Sequence, residues 1–337
     1  MTDTALPPLA LSLGDPAGIG PELIVQAWAD RAAERLPAFF ATGGAGLLAQ
    51  AAAVHGLTVP VTRIDHPAEA PAVFASALPV LGDADAPYRP GEPNQAGARL
   101  ALASLTEATR LAVDGQASGI VTGPIAKALL AQVGFVYPGQ TEFVAAACGV
   151  TAGDAVMMLA GPQLRTVPIT VHVALAEVPL LLTSDMIVRR GRIAAQALAR
   201  DFGIAAPRLA FAGLNPHAGE SGRMGSEEER IIAPALDALR AEGIDATGPH
   251  PADAMFTARA RATYDLALCM YHDQALIPLK TLDFDAGVNV TLGLPIVRTS
   301  PDHGTAFAIA GQRVAEAGAT IAAIRMAGEM AARRAHG

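Results

Sequence analysis

The sequence predicts a doubly wound α/β fold, and three observations indicate it. Strand and helix patterns alternate along the chain, as expected for a sheet covered by helices. Several strand-length segments are apolar throughout, a pattern typical of strands with both faces buried. Polar residues follow these segments, and in open α/β sheets ligands bind beyond the carboxyl ends of the strands. The 337 residues permit two domains, or one domain with two lobes.

The first strand, turn and helix occupy residues 9–36. An apolar strand at 9–13 leads into a glycine-rich turn at 14–22, where Pro21 suits the start of a helix. The glycines at 14, 18 and 20 do not have the Gly-x-Gly-x-x-Gly spacing of a dinucleotide fingerprint. This turn is interpreted either as a tight connection or as a ligand-facing loop.

The alternation continues to residue 113. The predicted elements are strands at 38–42 and 59–64 and helices at 46–55 and 94–113. Residues 65–92, rich in Pro, Ala and Asp, are predicted to be irregular. His55 and His66 have no reactive neighbours in the sequence, and we expect them at the surface.

Residues 119–127 and 137–149 are candidate ligand-binding segments. The first combines a short strand, a turn and a helix begun by a proline, whose backbone amides suit an anion. Lys127 either reinforces that site or is simply solvated. In the second segment, Thr141 and Glu142 either cap a helix or contact a ligand.

The middle of the chain combines further strands with a glycine-dense loop. The predicted elements are strands at 155–159, 164–171 and 207–212 and helices at 185–202 and 226–242. The polar loop 215–225 is typical of functional loops. Glutamates 227–229 are interpreted as stabilising the dipole of the helix that they begin, rather than as metal ligands. Asp253 is either a helix cap or a catalytic carboxylate.

Three histidines directly follow apolar strands. His172 and His217 end two of the strands above, and His272 follows the apolar run 267–270 in a cluster with Asp273 and Lys280. Three imidazoles would bind one metal ion if they converged, although a histidine at a strand end is more often simply hydrogen-bonded. Both interpretations remain open. A polar stretch at 287–311 and a helix at 317–334 complete the chain.

The composition excludes several classes of protein. A net charge of −8 with only 24 Lys and Arg argues against a nucleic-acid partner. Although 51% of residues are hydrophobic, Pro, Gly or a charge interrupts every stretch before the ~18 residues of a spanning helix. Two cysteines argue against a disulfide scaffold, and the N-terminus lacks the basic start of a secretory signal. We therefore expect a cytoplasmic protein with a small-molecule partner.

Several motifs occur in the order found in one enzyme family. They lie at residues 14–22, 122–124, 141–143, 214–220, 251–253, 270–274, 289–295 and 298–300. The chain therefore resembles the 4-hydroxythreonine-4-phosphate dehydrogenase family. The resemblance implies oxidation of 4-phosphooxy-L-threonine at C3, with NAD or alternatively NADP, to a β-keto acid. That acid decarboxylates to 3-amino-2-oxopropyl phosphate, in pyridoxal phosphate biosynthesis.

The resemblance also implies an architecture and an assembly. It implies a fold similar to isocitrate and isopropylmalate dehydrogenases, with two α/β lobes and the active site in the interlobe cleft. The first lobe comprises residues 1–135 and 300–337, and the second residues 136–299. The resemblance implies that the active unit is a homodimer, because in the family the third of three metal-binding histidines comes from the partner subunit.

The predicted site residues fall into four groups. The resemblance implies the metal, substrate and NAD residues, and the chemistry of their side chains suggests the catalytic candidates. The ligands of a divalent metal (zinc, magnesium or cobalt) are His172, His217 and His272. The substrate contacts are Gln140, Thr141, Lys280, Asn289 and Arg298. The catalytic candidates are Lys280, Asp253 and Asp273. The residues that bind the adenosine half of NAD are Asp302, His303, Gly304, Thr305 and Ala306.

One position departs from the family pattern. Gln140 stands where the family usually has histidine. An amide donates hydrogen bonds but cannot become cationic, so phosphate binding would depend more on Lys280 and Arg298.

Two alternative functions remain open. The first alternative is a related metal- and NAD-dependent dehydrogenase acting on 4-phosphoerythronate, 4-phosphothreonate or a dihydrodiol carboxylate. The second is a metal-dependent hydrolase or aldolase that does not use NAD.

Overall fold

The computed structural model describes residues 6–336 and divides them into two compact units. Unit 1 consists of the described residues up to Ala152 together with Leu294–His336, and unit 2 is Gly153–Gly293. Residues 1–5, on which the prediction about the N-terminus depends, lie outside the described residues, as does Gly337. Between residues 6 and 336, no helix is both long enough and apolar enough to cross a membrane.

Strands and helices alternate over most of the chain, as the sequence predicts. The strands are β1 (Leu9–Ser12), β2 (Phe39–Thr42), β3 (Val61–Ile64), β4 (Leu78–Leu81), β5 (Ile120–Thr122), β6 (Val156–Ala160), β7 (Arg165–Pro168), β8 (Arg208–Ala212), β9 (Asp245–His250), β10 (Leu266–Cys269), β11 (Val288–Leu292) and β12 (Arg298–Pro301). The α-helices are α1 (Gly20–Ala29), α2 (Ala45–His55), α3 (Ala70–Phe74), α4 (Gln95–Val113), α5 (Lys127–Ala131), α6 (Gln140–Ala147), α7 (Val178–Leu181), α8 (Ser184–Phe202), α9 (Ala233–Ala241), α10 (Ala252–Met255), α11 (Ala258–Arg261), α12 (His272–Asp283) and α13 (Gly318–His336). A π-helical turn, Glu228–Ile232, directly precedes α9.

The strands of unit 1 are arranged in the order β3-β4-β2-β1-β5-β12. All of their pairings are parallel. Every residue of β1, β2, β4, β5 and β12 is buried, as the apolar pattern of parallel strands indicates. Helix α4 presents Leu100, Leu105 and Leu111 to the interior of this unit, as predicted.

The strands of unit 2 follow the order β11-β6-β7-β10-β8-β9. Strand β6 is antiparallel to both of its neighbours, whereas the pairings among β7, β10, β8 and β9 are parallel. The carboxyl ends of β7, β10 and β8 therefore lie side by side at one edge of the sheet. The predicted α/β class is confirmed.

Two predictions about local structure are wrong. Residues 65–92, predicted to be irregular, contain α3 and also β4, which pairs with β2 and β3. Strand β4 escapes recognition because it has four residues and contains Pro79, and proline usually argues against a strand inside a sheet. The second error concerns His55, whose side chain is 4% exposed and lies with its Nε2 2.5 Å from Glu22 Oε2 instead of at the surface.

The boundaries between the units differ from the predicted ones. The sequence placed them after residues 135 and 299, whereas the units divide after residues 152 and 293. Helix α6 belongs to unit 1 because Phe143 packs against the cluster of apolar residues that contains Leu105 and Leu130. Strand β12 belongs to unit 1 because it pairs with β5.

Candidate active site

Unit 2 places the three predicted metal-binding histidines after three adjacent strands. His172 follows β7, His272 follows β10 and His217 follows β8. The order β7-β10-β8 thus brings three imidazole-bearing segments to the same edge of the sheet. The strand-end pattern in the sequence correctly indicates this arrangement.

His172 and His272 lie together beside a cavity. Their ring centroids are 5.6 Å apart. The cavity has a volume of about 230 Å³. It is lined by Thr170, His172, Val173, Leu175, Val178, Tyr271, His272 and Asp273. The two imidazoles suit a divalent transition metal, because such ions favour nitrogen donors.

Within residues 6–336, no three His, Cys, Asp or Glu side chains are placed so that they could hold a metal ion. His172 and His272 are in ring contact. The three-histidine centre of the resemblance stays a prediction, with its third ligand expected from a partner subunit.

Hydrogen bonds fix the histidine-bearing segments to one another. The Thr170 hydroxyl donates to the Met270 carbonyl at 2.8 Å. The Gln274 side chain accepts from the Met270 amide at 2.7 Å and donates to the Gly213 carbonyl at 2.8 Å. His272 Nδ1 is 2.7 Å from Asp273 Oδ1, a contact that orients the imidazole ring. The sequence singled out Asp273, but it did not indicate the role of the buried Gln274 amide.

The loop that carries His217 has an unusual backbone. Residues 217–221 all have positive φ, from 42° to 78°, and only Gly219 among them lacks a Cβ. Asn215 precedes this turn, and its backbone amide donates to Glu228 Oε1 at 2.7 Å. The interpretation of Glu228 as a dipole-stabilising residue is thus incomplete, since its side chain is bound to the loop.

The other predicted residues of unit 2 occupy separate positions. Asp253 is exposed in the first turn of α10, whose N-cap is Pro251, so the helix-cap interpretation of Asp253 is wrong. Lys280 lies on α12, about 12 Å along the helix axis from His272 at a rise of ~1.5 Å per residue. Its Nζ is 6.0 Å from the Phe284 ring centroid. Asn289 lies on β11, and its Oδ1 is buried without a hydrogen-bond partner among the described residues.

In unit 1, Arg298 begins β12 and is 4% exposed. Its Nη2 donates to the Thr122 hydroxyl at 2.9 Å, and its Nη1 donates to the Thr141 hydroxyl at 3.5 Å. Burial lowers the pKa of Arg298 to about 10, so the guanidinium remains cationic at neutral pH. Of the two interpretations of Thr141, the structure favours the polar site over a helix cap, because the N-cap of α6 is Gly139.

Gln140 begins α6 beside this arginine site. Its Nε2 donates to the Gly123 carbonyl at 2.9 Å. Since a carbonyl can only accept, this bond fixes the orientation of the amide. The Gln140 Oε1 is buried and has no hydrogen-bond partner in the described chain.

The predicted NAD loop, residues 302–306, also belongs to unit 1. The Thr305 carbonyl accepts from the Ile19 amide at 3.0 Å, and a Cβ at Gly18 would lie 2.6 Å from the same oxygen. The glycine-rich turn is therefore a tight connection that packs against this loop. His303 Nε2 is buried without a partner among residues 6–336, a polar atom suited to a bound dinucleotide.

Sequence reasoning missed two buried carboxylates at this turn. Glu22 is fully buried, and its Oε2 is 2.5 Å from His55 Nε2 and accepts from the Gly311 amide at 3.0 Å. Asp15 is 1% exposed, and burial raises the pKa of its carboxyl. The only signal for either was membership of the motif at 14–22.

The chain thus combines an α/β fold with histidines after three strands of unit 2 and, in unit 1, a buried arginine. The chain belongs to the family described as pyridoxal phosphate biosynthetic protein PdxA, which matches residues 35–327. The family prediction is thereby confirmed.

Three relatives of this chain share one enzyme name. The 4-hydroxythreonine-4-phosphate dehydrogenase of Erythrobacter litoralis is 63% identical over 97% of this chain and 98% of its own length. The enzyme of the same name from Zymomonas mobilis is 54% identical over 97% of this chain and 96% of its own length. The crystal structure of the Klebsiella pneumoniae 4-hydroxythreonine-4-phosphate dehydrogenase is 38% identical, with a TM-score of 0.85 over 98% of this chain and 99% of that one.

Proposed function

We propose that this chain is an NAD-dependent 4-hydroxythreonine-4-phosphate dehydrogenase of pyridoxal phosphate biosynthesis. It oxidises 4-phosphooxy-L-threonine at C3 to a β-keto acid, which loses CO2 to give 3-amino-2-oxopropyl phosphate. The observation that carries this proposal is the 63% identity to a dehydrogenase of that name along nearly the full length of both chains. The sites of units 1 and 2 support it through the chemistry of their residues.

Arg298 is the proposed phosphate-binding residue. Its guanidinium is buried, cationic at neutral pH and held by the hydroxyls of Thr122 and Thr141. A buried, pre-oriented guanidinium suits the oxygens of a phosphate group. Gln140, Lys280 and Asn289 are the further proposed substrate contacts, and the Oε1 of Gln140 and Oδ1 of Asn289 are both buried acceptors without a protein partner in the described chain.

His172, His217 and His272 are the proposed metal ligands, one of them supplied by the partner subunit of a homodimer. A bound zinc, magnesium or cobalt ion would supply Lewis acidity that lowers the pKa of the C3 hydroxyl. Asp273 orients His272 through its Nδ1. Lys280 Nζ is the proposed group that exchanges a proton with the C3 oxygen or polarises the carbonyl, and Asp253 is a secondary candidate.

The loop 302–306 is the proposed site for the adenosine half of NAD, which supplies the hydride acceptor. His303 offers a buried ring nitrogen, and the contact between Thr305 and Ile19 fixes the loop against the glycine-rich turn. We also propose that the enzyme works in the cytoplasm.

The test of this function is initial-rate NADH formation by the metal-loaded protein with 4-phosphohydroxy-L-threonine, beside 4-phospho-D-erythronate. We expect a kcat/KM of ~10⁴ M⁻¹s⁻¹ or higher for the amino acid alone. A preference for the erythronate would instead assign the chain to a related dehydrogenase. No NADH from either substrate, together with no binding of NAD in a fluorescence titration, would favour a hydrolase or aldolase.

Arg298→Ala tests the phosphate site. We expect the KM to rise at least ~10-fold more for the phosphorylated substrate than for 4-hydroxy-L-threonine, because only the former uses the guanidinium. Arg192→Ala is the control, since Arg192 is half-exposed and pairs with Glu242. An equal rise of both KM values would contradict the proposed role of Arg298 in phosphate binding.

A further inference from the structure

The turn that carries His217 is held in a conformation that its residues do not favour. The φ angles are 54° at His217, 49° at Ala218, 42° at Glu220 and 56° at Ser221, with Gly219 at 78° between them. A left-handed backbone brings Cβ close to the following carbonyl and costs free energy at every residue except glycine. Such a run persists only where surrounding groups determine the backbone.

The buried side chain of Glu228 lies against this turn. Its side chain is 3% exposed. Its Oε1 accepts from the Asn215 backbone amide at 2.7 Å, and its Oε2 accepts from the Asn215 side-chain amide at 3.0 Å. Asn215 thus satisfies both oxygens of a carboxylate that would otherwise be buried without donors.

Two glycines, one on each side of His217 in the sequence, give the Glu228 carboxylate room, and a third lies against Glu227. A Cβ at Gly213 would lie 3.1 Å from Glu228 Oε1, and a Cβ at Gly219 would lie 2.6 Å from Glu228 Oε2. A Cβ at Gly225 would lie 2.7 Å from Oε2 of Glu227, which also accepts from the Asn215 side chain at 2.8 Å. The glycine density of the loop therefore reflects close packing against glutamates as well as backbone freedom.

The helix that carries Glu228 is adapted to this contact. Residues Glu228–Ile232 form a π-helical turn, and π-turns inside helices frequently occur at functional sites. The next residue, Glu229, is exposed. An exposed carboxylate would be enough to stabilise the helix dipole. Dipole stabilisation therefore does not explain why Glu228 is buried and hydrogen-bonded to the loop.

We infer that Glu228 is the positioning residue of His217: its carboxylate binds Asn215 and fixes the left-handed turn that presents the imidazole. This inference rests on the proposed role of His217 as a metal ligand. Residues that orient a metal ligand without touching the metal typically change affinity by about 10- to 100-fold when they are replaced.

Glu228→Gln tests the inference because glutamine retains one acceptor oxygen and replaces the other with a donor. Zn²⁺ alone is the probe, and its dissociation constant is measured by competition with a chromophoric chelator. We expect an increase of at least ~10-fold in the dissociation constant. Glu229→Gln, an exposed neighbour on the same turn, is the matched control and should leave the affinity unchanged.

A rescue variant separates positioning from direct ligation. Ala218→Gly removes a Cβ from the left-handed run, so the double variant Glu228→Gln with Ala218→Gly should regain part of the lost Zn²⁺ affinity. A direct ligand could not be rescued by a change in the backbone of another residue. No recovery in the double variant, or equal affinities of the wild type and Glu228→Gln, would overturn the inference.

Hydrogen–deuterium exchange provides a readout that does not depend on metal. The backbone amides of residues 216–225 should exchange faster in Glu228→Gln than in Glu229→Gln or the wild type. Unchanged exchange in Glu228→Gln would overturn the inference even in a protein that binds Zn²⁺. Failure of the wild type to bind Zn²⁺ would overturn the proposed metal role, whereas the exchange result would still decide whether Glu228 fixes the turn.

Discussion

Two glycine-dense turns, residues 14–22 in unit 1 and 215–225 in unit 2, are each fixed by a buried glutamate. Glu22 accepts hydrogen bonds from three segments that are distant in sequence, through His55, Tyr88 and Gly311. Glu228 accepts from one residue, Asn215, through its backbone and its side chain. One glutamate connects elements of the fold, and the other determines the backbone of a single loop.

Similar sequence features thus stabilise different parts of the structure: a whole unit in one case and a single loop in the other. A glutamate that collects donors from several elements contributes to the stability of the whole unit, and its loss leaves several buried groups without a partner. A glutamate that binds one loop controls the presentation of a side chain. The two roles therefore differ in the size of their effect on the free energy of unfolding.

Replacing Glu22 should have the largest effect. Glu22→Ala would leave the buried side chain of His55, the Tyr88 hydroxyl and the Gly311 amide without their acceptor. We expect a loss of about 3 kcal/mol in the free energy of unfolding, measured by urea denaturation. Glu34→Ala is the control, because Glu34 forms a half-exposed pair with Arg325 and should cost less than ~1 kcal/mol. Equal effects of the two replacements would contradict the proposed role of Glu22.

Replacing Asn215 should have a smaller effect. Asn215→Ala removes the side-chain donor to Glu227 and Glu228 but retains the backbone donor to Glu228. We expect a loss of about 2 kcal/mol in the same denaturation measurement, because a buried carboxylate loses one of its two hydrogen bonds. A loss greater than that of Glu22→Ala would reverse the comparison between the two turns.

Ala218→Gly should stabilise the protein slightly. At a φ of 49° alanine is strained and glycine is not, and the relief exceeds the extra entropy of glycine in the unfolded chain. We expect a gain of up to ~1 kcal/mol, measured as a rise in Tm. Ala238→Gly, in the exposed face of α9, is the control and should lower stability by about 1 kcal/mol. Destabilisation by both replacements would show that the left-handed turn is not strained at Ala218.

The smallest expected effect is a dependence on pH. The hydrogen bond from Asn215 lowers the pKa of Glu227 below its ordinary value. A carboxyl group with a lowered pKa in the folded state contributes stability above its ordinary pKa, and that contribution is lost as the pH falls through the folded value. The stability difference between the wild type and Glu227→Gln should therefore shrink in acid, as followed by urea denaturation from pH 7 to pH 3. A stability difference that stays constant across this pH range would exclude the contribution of the Glu227 carboxylate.

The sequence predicts the strand-end positions of the site well because they follow from local patterns. An apolar run followed by a polar residue places His172, His217 and His272 after adjacent strands, and the structure confirms that placement. Family motifs point to Thr141 and Arg298, which the structure joins by a hydrogen bond. These features depend on periodicity, or on residues that the motifs already contain.

Contacts between residues that are distant in the sequence could not be predicted from local patterns. The pair of Glu22 and His55 joins two helices, and nothing near His55 in the sequence indicates a buried partner. The left-handed turn after Asn215 was likewise not predictable, because four of its residues are not glycine and positive φ is uncommon for residues other than glycine. Such conformations depend on tertiary contacts that override local preference.

The Gln274 side chain determines how the connection between two histidine-bearing segments responds to pH and salt. It connects Met270, next to the His272 helix, with Gly213, at the start of the His217 loop, through an amide that carries no charge. An amide neither gains nor loses a proton between acidic and alkaline solution, and its hydrogen bonds are not screened by salt as an ion pair would be. The scaffold between these two segments is therefore indifferent to proton concentration and ionic strength.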